Sequence, residues 1–456
     1  MPPRWFVRHI YLPVAQSLIR GTSLQAERSL AQTQHQPLEV RAAENWERLR
    51  HLLQAAGRHV PFYRDRWAQA GIQADDIRTP DDFRRLPLLT RDDLITHRED
   101  LLNPRYQGER YWVETSGSTG RPIRIRQTRR FHSWTEATQW RARSWFGVQV
   151  GDPWMAIWGR PVKSRREQLS LSLRSGIKGI YHVSAFDLTE ERMGEIWART
   201  VRHQPRLLYG YASALFLLAQ WVERQGLDGR LAGLRVVMTT AEMLYGFQRD
   251  LMTRVFGVPV SNVYGCGEVG AFAHECPAGR MHVSDETMQV EYLDRQGQPA
   301  AAGETADLIL TSLFNEGMPL IRYQVGDAGS WLAGPCPCGR TLPVMSVTVG
   351  KTGEMVRTVG GRAFSTELFD YIHKDLLKRG ITGVRQFRVV QNSLDRFVVE
   401  CVADAGTAQA TLEAFVEGFR QALGADVSVE LSLLPELPRD ATGKLRYFLS
   451  RLSGIP

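Results

Sequence analysis

A chain of 456 residues exceeds what one hydrophobic core usually serves, so two or three structural units are expected. Its 43% hydrophobic and 23% charged residues exclude a disordered or fibrous class, and no apolar run reaches the ~20 residues of a membrane span. The net charge of +8 favours anionic partners, such as nucleotide phosphates, coenzyme A, nucleic acid or an anionic membrane surface, although by its sign alone an idle basic surface reads equally well. Five cysteines, four of them between Cys266 and Cys338, suit a reducing compartment better than a disulfide scaffold.

In chain order, Trp5 to Ile19 is the most apolar stretch, but Arg8, His9, Pro13 and Gln16 interrupt it, which argues against a secretory signal and for a cytoplasmic protein. Beside Arg4, Arg8 and Arg20, the apolar residues of 5–20 suit either contact with an anionic membrane surface or packing on the protein itself. Val40 to Gly71 has helical spacing with a break at Pro61. Thr90 with Asp93 forms a capping-box start to another helix. Then comes Glu114-Thr-Ser-Gly-Ser-Thr-Gly-Arg-Pro122, two glycines and four hydroxyls in a turn whose N–H groups can wrap phosphate oxygens. It is not the P-loop of NTPases: Arg121 follows Gly120 at the wrong distance, and Gly350-Lys-Thr352 fails because position 345 is methionine.

Leu188 to Gln225 reads as two helices split near Pro205 and Tyr209-Gly-Tyr211, with short apolar runs at Leu234 to Thr239 and Val258 to Val263. Strands alternating with helices predict a largely parallel α/β sheet. Met288 to Trp331 reads instead as antiparallel, hairpin-rich material. After Gly350 the spacing predicts a helix over 365–378, strands near 384–391 and 396–403, a helix over 407–423 and a strand near 427–434, close to a ferredoxin-like α+β unit. The expected division is a basic amphipathic segment 1–39, a large α/β domain with an antiparallel β subdomain over 40–350, and a small mobile C-terminal domain over 351–456.

Four stretches carry a resemblance: Thr115 to Pro122, Tyr264-Gly-Cys-Gly-Glu268, Arg322-Tyr-Gln-Val-Gly-Asp327 and Leu437-Pro-Arg-Asp-Ala-Thr-Gly-Lys-Leu-Arg446. In order and spacing they resemble the signature segments of the adenylate-forming acyl ligases. Val60-Pro-Phe-Tyr63, Leu86-Pro-Leu-Leu-Thr90 and Cys336-Pro-Cys338-Gly-Arg340 are similar to the phenylacetate-coenzyme A ligase branch and its relatives among capsule-polysaccharide genes.

The resemblance implies that a carboxylate attacks the α-phosphate of ATP, giving an acyl adenylate and pyrophosphate, before transfer to coenzyme A. Both reactants are anionic, so cations and N–H donors must offset the charge that builds. It implies that Ser116, Gly117, Ser118, Thr119 and Gly120 hold the β- and γ-phosphates, that Glu268 binds Mg2+, and that Asp327 grips the ribose. Tyr264 would stack on adenine with the turn Thr240-Ala241-Glu242 beside it, and Lys444 would be the catalytic cation. The hinge would fall at Gly350-Lys351-Thr-Gly-Glu354, where Lys351 keeps a positive charge toward the nucleotide and Gly353 has backbone freedom. Gly267 stands where the family commonly has serine or threonine.

Cys276, His282 in the following loop, Cys336 and Cys338 make a three-cysteine, one-histidine set that would close a structural Zn2+ site, free buried thiols being the alternative. The aromatics Trp134, Trp140, Trp145, Phe146, Trp154 and Trp158 suit core packing or an aryl or apolar acid pocket. Arg124 and Arg126 share a strand face that is solvated by default, and nothing interleaves aromatics with basic residues as a nucleic-acid platform does. The readings are therefore an acid-CoA ligase, an adenylating ligase that passes its acyl group to an amine or hydroxyl acceptor, and a non-catalytic nucleotide-binding scaffold.

Overall fold

The computed structural model describes residues 3–115, 123–158, 175–185, 190–349, 356–359, 363–364, 369, 372–373, 376, 379–424, 426–439 and 445–452. The chain divides into two compact units, each drawn from separate stretches of sequence. One comprises 1–152, 176–179 and 261–348; the other comprises 153–175, 180–260 and 349–456.

The first unit is built on antiparallel strands. Met288–Leu293, Ala306–Ser312 and Tyr323–Leu332 lie side by side, followed by Val344–Val349, Met281–Val283, Gly270–Glu275 and Val260–Cys266. This is the hairpin-rich material expected from the glycine-punctuated runs after Met288. The helices Leu38–His59 and Pro61–Gln69 cover it, and Pro61 sits at the first turn of the second helix, where its missing N–H costs nothing. Their apolar stripe, including Leu49, Leu53, Ala56, Tyr63 and Trp67, joins Phe272, Leu308, Leu310 and Tyr323 in one buried core. Thr90 caps Arg91–Thr96 by accepting the Asp93 N–H at 3.2 Å, and the Asp93 carboxylate accepts the Thr90 N–H at 2.8 Å.

Also in this unit, Arg110–Thr115 and Ile123–Thr128 pair as an antiparallel hairpin with Thr115 opposite Ile123. The Ser/Thr/Gly stretch connects these strands, so Ser116, Gly117, Ser118, Thr119 and Gly120 lie outside the described residues. The guanidiniums of Arg124 and Arg126 stand over the ring of Trp112 at 5.8 and 4.8 Å from its centroid. Arg129 pairs with Glu109 and Arg130 with Glu316, so acids of the same unit engage both.

The second unit opens with a parallel sheet in the order Ile180–Ser184, Trp154–Trp158, Leu207–Tyr211, Val236–Thr240. Helices Glu190–His203, Ala212–Arg224 and Gly246–Phe256 alternate with these strands, as the apolar runs between helical segments predict. Gly210 is required by the close pairing, because a β-carbon there would lie 2.3 Å from the Ile157 carbonyl oxygen. The C-terminal residues add a four-stranded sheet in the order Ser428–Leu433, Arg396–Ala403, Val384–Gln391, Phe448–Ser450, backed by helix Gln409–Leu423. The expected strands at 384–391 and 396–403 are present. The last strand is an addition, three residues too short to leave an alternating pattern. Much of the expected helix over 365–378 lies outside the described residues.

The parallel layer and the C-terminal sheet share a buried core: the Phe247 ring meets those of His373, Phe387 and Tyr447. The aromatic stretch does not form a single cluster. Trp134 stacks on Phe314 in the first unit, while Trp158 stacks on Tyr209 in the second. Among the described residues no helix is long and apolar enough to cross a membrane.

Candidate active site and a cysteine-histidine cluster

In the first unit, the strand Val260–Cys266 ends in the segment Tyr264-Gly-Cys-Gly-Glu268, and the strand Tyr323–Leu332 carries Asp327. The two segments meet: the Tyr264 phenol donates to Asp327 Oδ2 at 2.7 Å. Burial, together with the adjacent Asp327 carboxylate, pushes the Tyr264 phenol well above its ordinary pKa, so it stays a donor. Gly265 permits the tight turn, since a β-carbon there would lie 2.3 Å from the Gly270 carbonyl oxygen. Glu268 is buried, and Arg91 Nη1 stands 3.8 Å from its Oε1, beyond hydrogen-bond range. A carboxylate oxygen in that position fits a hard cation such as Mg2+. Burial raises the neighbouring Cys266 thiol well above its usual pKa, and Glu268 adds to the effect, which makes it a neutral, unreactive group.

Residues that hold the Asp327 strand come from the motifs at 60–63 and 86–90, whose role the sequence left open. Tyr63 Oη donates to the Pro319 carbonyl at 2.8 Å and accepts the Ile321 N–H at 3.0 Å. Leu89 N donates to the Arg322 carbonyl at 3.0 Å, and Gln324 N returns a bond to the Leu89 carbonyl at 2.9 Å. Arg322 itself has a left-handed backbone, φ 52°, and its guanidinium binds Glu291 at 2.9 Å. It is a buried structural cation, a role with no sequence signal because Glu291 lies on another strand.

In the second unit, Ala241 adopts φ 67° immediately after the strand Val236–Thr240, a strained backbone for a residue with a β-carbon. The strain directs Glu242 into the unit. Its Oε2 accepts the Ser213 N–H at 2.8 Å, and its Oε1 accepts the Ser213 hydroxyl at 3.0 Å and the Leu445 N–H at 2.8 Å. Arg439 Nη1 donates to the same Ser213 Oγ at 3.1 Å. Burial raises the pKa of Glu242, and the bonds from Ser213 and Leu445 with the Arg439 charge pull against it. Leu445 directly follows Lys444 in sequence; Lys444 and Lys351 lie outside the described residues.

The four proposed metal ligands come together in the first unit. The ligand atoms of Cys276, His282, Cys336 and Cys338 all lie within 4.8 Å of one another. Cys276 Sγ and Cys336 Sγ are 3.7 Å apart, and His282 Nε2 is 3.2 Å from Cys338 Sγ. Tetrahedral zinc with Zn–S bonds of about 2.3 Å sets its sulfurs about 3.8 Å apart, so the thiol spacing suits that ion. His282 Nδ1 lies 3.0 Å from the Leu342 carbonyl, which fixes Nδ1 as donor and leaves the Nε2 lone pair facing the thiols. Two tight turns present the cysteines, with Gly279 N bonded to the Cys276 carbonyl at 2.9 Å and Gly339 N to the Cys336 carbonyl at 3.0 Å. His282 sits on the short strand Met281–Val283 rather than in a loop, because that strand pairs on both sides, with Gly270–Glu275 and with Val344–Val349.

The chain is 26% identical over 345 residues to phenylacetate-coenzyme A ligase of Thermus thermophilus, covering 73% of this chain and 75% of that protein. The Escherichia coli phenylacetate-coenzyme A ligase is likewise 26% identical, over 76% of this chain and 80% of its own length. The chain is similar to the phenylacetate-coenzyme A ligases over about three-quarters of its length. Residues 370–451 match the family described as the CapK C-terminal domain. The fold of the chain is similar to that of 2-hydroxyisobutyryl-CoA ligase in the postadenylation state in complex with 2-HIB-AMP, at a TM-score of 0.74 and 19% identity over 92% of this chain and 91% of that one.

Proposed function

We propose that this protein is an ATP-dependent acid-coenzyme A ligase. A carboxylate oxygen attacks the α-phosphorus of ATP, the bond to the bridging oxygen of pyrophosphate breaks, and an acyl adenylate remains. The sulfur of coenzyme A then attacks the acyl carbon, AMP leaves, and the thiol proton passes to solvent. The observation that carries this reading is the Tyr264 to Asp327 bond: two of the four signature segments, 63 residues apart, meet at groups suited to adenine and ribose.

In this reading Asp327 accepts from the ribose hydroxyls, and Tyr264 both holds that carboxylate and offers its ring to the base. Ser116, Gly117, Ser118, Thr119 and Gly120 bind the leaving pyrophosphate. Glu268 holds Mg2+, which would neutralise phosphate charge. Lys444 brings its ammonium to the carboxylate and α-phosphate as charge develops. Lys351 adds charge near the nucleotide, and residues 351–456 act as the moving C-terminal domain. The backbone of Ala241 borders the base, while Glu242 anchors the segment that follows Lys444. Cys276, His282, Cys336 and Cys338 hold a structural zinc ion that would tie two turns together.

The test is a panel of aliphatic and aryl carboxylates scored by ATP-dependent pyrophosphate release. Hydroxylamine captures any acyl adenylate as a hydroxamate, and coenzyme A in its place tests the acceptor. Carboxylate-dependent pyrophosphate release with thioester formation is the expected result. Hydroxamate without thioester would move the acceptor to an amine or a hydroxyl, and no pyrophosphate release with any acid would leave a nucleotide-binding scaffold.

A further inference from the structure

The N-terminal helical run presents two apolar faces, and the protein covers only one of them. It comprises Arg4–Phe6, a π-helical turn over Val7–Tyr11, and Leu12–Leu18. Val7 and Leu12 are buried against Leu24 and Val150, with Tyr11 and Trp140 packed alongside. This accounts for the packing alternative that the sequence offers. The opposite side does not follow from it. Trp5 is 59% exposed, Ile10 43%, Val14 57%, Leu18 80% and Ile19 44%. A helix that is apolar on both sides is normally buried on both sides. The π-helical turn adds a residue to one turn, which brings Ile10, Val14 and Leu18 into the same exposed row as Trp5.

The charge of the segment selects what covers this row. The first 26 residues contain Arg4, Arg8, His9 and Arg20 and no acidic residue; Glu27 is the first. Arg8 is turned inward, bonded to Gln149 at 3.1 Å and 3.5 Å from Glu27; Arg4, whose side chain is half exposed, stands 3.5 Å from the Asp152 carboxylate, and Arg20 is exposed. A second copy of the chain, docking face to face, would set Arg4 and Arg20 against the same cations of its partner. An anionic bilayer meets both the apolar row and its basic rim. With helical pieces this short, the run lies in the plane of the interface, with Trp5 at headgroup level.

We infer that residues 4–19 form a peripheral docking surface for an anionic phospholipid bilayer, through Trp5, Ile10, Val14 and Leu18 with Arg4 and Arg20 at the headgroups. This goes beyond the ligase reading and does not depend on it. The experiment is co-sedimentation of the full chain with vesicles of phosphatidylcholine containing a quarter phosphatidylglycerol, against pure phosphatidylcholine, at low and high salt. Binding is expected to the anionic vesicles, weakened by salt because the Debye length shortens from about 10 Å at 0.1 M to about 3 Å at 1 M. The double variant Val14→Asp/Leu18→Asp should lower the bound fraction at least ~tenfold. Both positions are exposed, so thermal unfolding should be unchanged. Arg4→Gln/Arg20→Gln should abolish the preference for anionic vesicles. No binding, or equal binding to neutral vesicles at both salts, would overturn the inference. Self-association that the aspartate variant abolishes, without vesicle binding, would also overturn it and assign the face to a second copy.

Discussion

The Glu242 carboxylate accepts the backbone N–H of Leu445 at 2.8 Å, joining positions 203 residues apart. With Ser213 and Arg439 it secures the chain on both sides of residues 440–444, the stretch that contains the proposed catalytic lysine. Replacing Glu242 with alanine strips the acceptor from two backbone donors, and a buried donor left unsatisfied costs ~1–3 kcal/mol. Adenylate formation, measured as hydroxamate, should fall by roughly 10- to 100-fold in Glu242→Ala with the fold retained by circular dichroism. Glu242→Gln keeps one acceptor oxygen and should recover part of the loss. Lys444→Ala should come close to abolishing pyrophosphate release, and a wild-type rate in either alanine variant would remove these residues from the mechanism.

Tyr264 and Asp327 predict a separable effect on nucleotide binding. Tyr264→Phe keeps the ring and deletes one hydrogen bond worth about 1 kcal/mol, so KM for ATP should rise about fivefold with kcat little changed. Asp327→Ala removes the proposed ribose acceptor and should raise KM further, by more than about tenfold. The ATP dependence of pyrophosphate release measures both. An unaltered KM in Asp327→Ala would place ATP elsewhere.

The cysteine-histidine cluster predicts about one zinc ion per chain in protein purified without chelator. Cys336→Ser should lose the metal and lower the thermal midpoint, because a structural ion binds only the folded ligand set. Elemental analysis of wild-type protein finding less than about a tenth of an equivalent would leave the cluster as reduced thiols.

His373 is buried against Phe247, Phe387 and Phe415, and burial lowers its pKa from 6.5 to about 4. Between those values the unfolded chain takes up a proton that the folded chain refuses. Its contribution to stability is therefore complete above pH 6.5 and is lost as pH falls toward 4. The slope approaches roughly 1.4 kcal/mol per pH unit for one proton. Urea midpoints measured from pH 7 to 4 should fall less steeply in His373→Phe than in wild type. Parallel curves would show that His373 does not titrate in this window.

The sequence by itself determined the local order of the chain: the capping box at Thr90, the helix break at Pro61, the alternation of strands and helices before 260, and the hairpin-rich run after 288. These features depend on turn chemistry, caps and apolar period, which act over a few residues. Four signature segments at their spacing also marked the chemistry. Only the tertiary structure decided which distant groups meet. It brought Tyr264 to Asp327, paired Arg322 with Glu291, and closed Cys276, His282, Cys336 and Cys338 to within 4.8 Å. It also set Glu242 against the backbone that follows Lys444 and left one side of the N-terminal helical run bare. The physical reason is common to the first four. A buried carboxylate, guanidinium or thiol is placed by the partner that offsets its loss of water, and that partner is chosen by how the sheets and helices stack, which no local pattern of residues encodes.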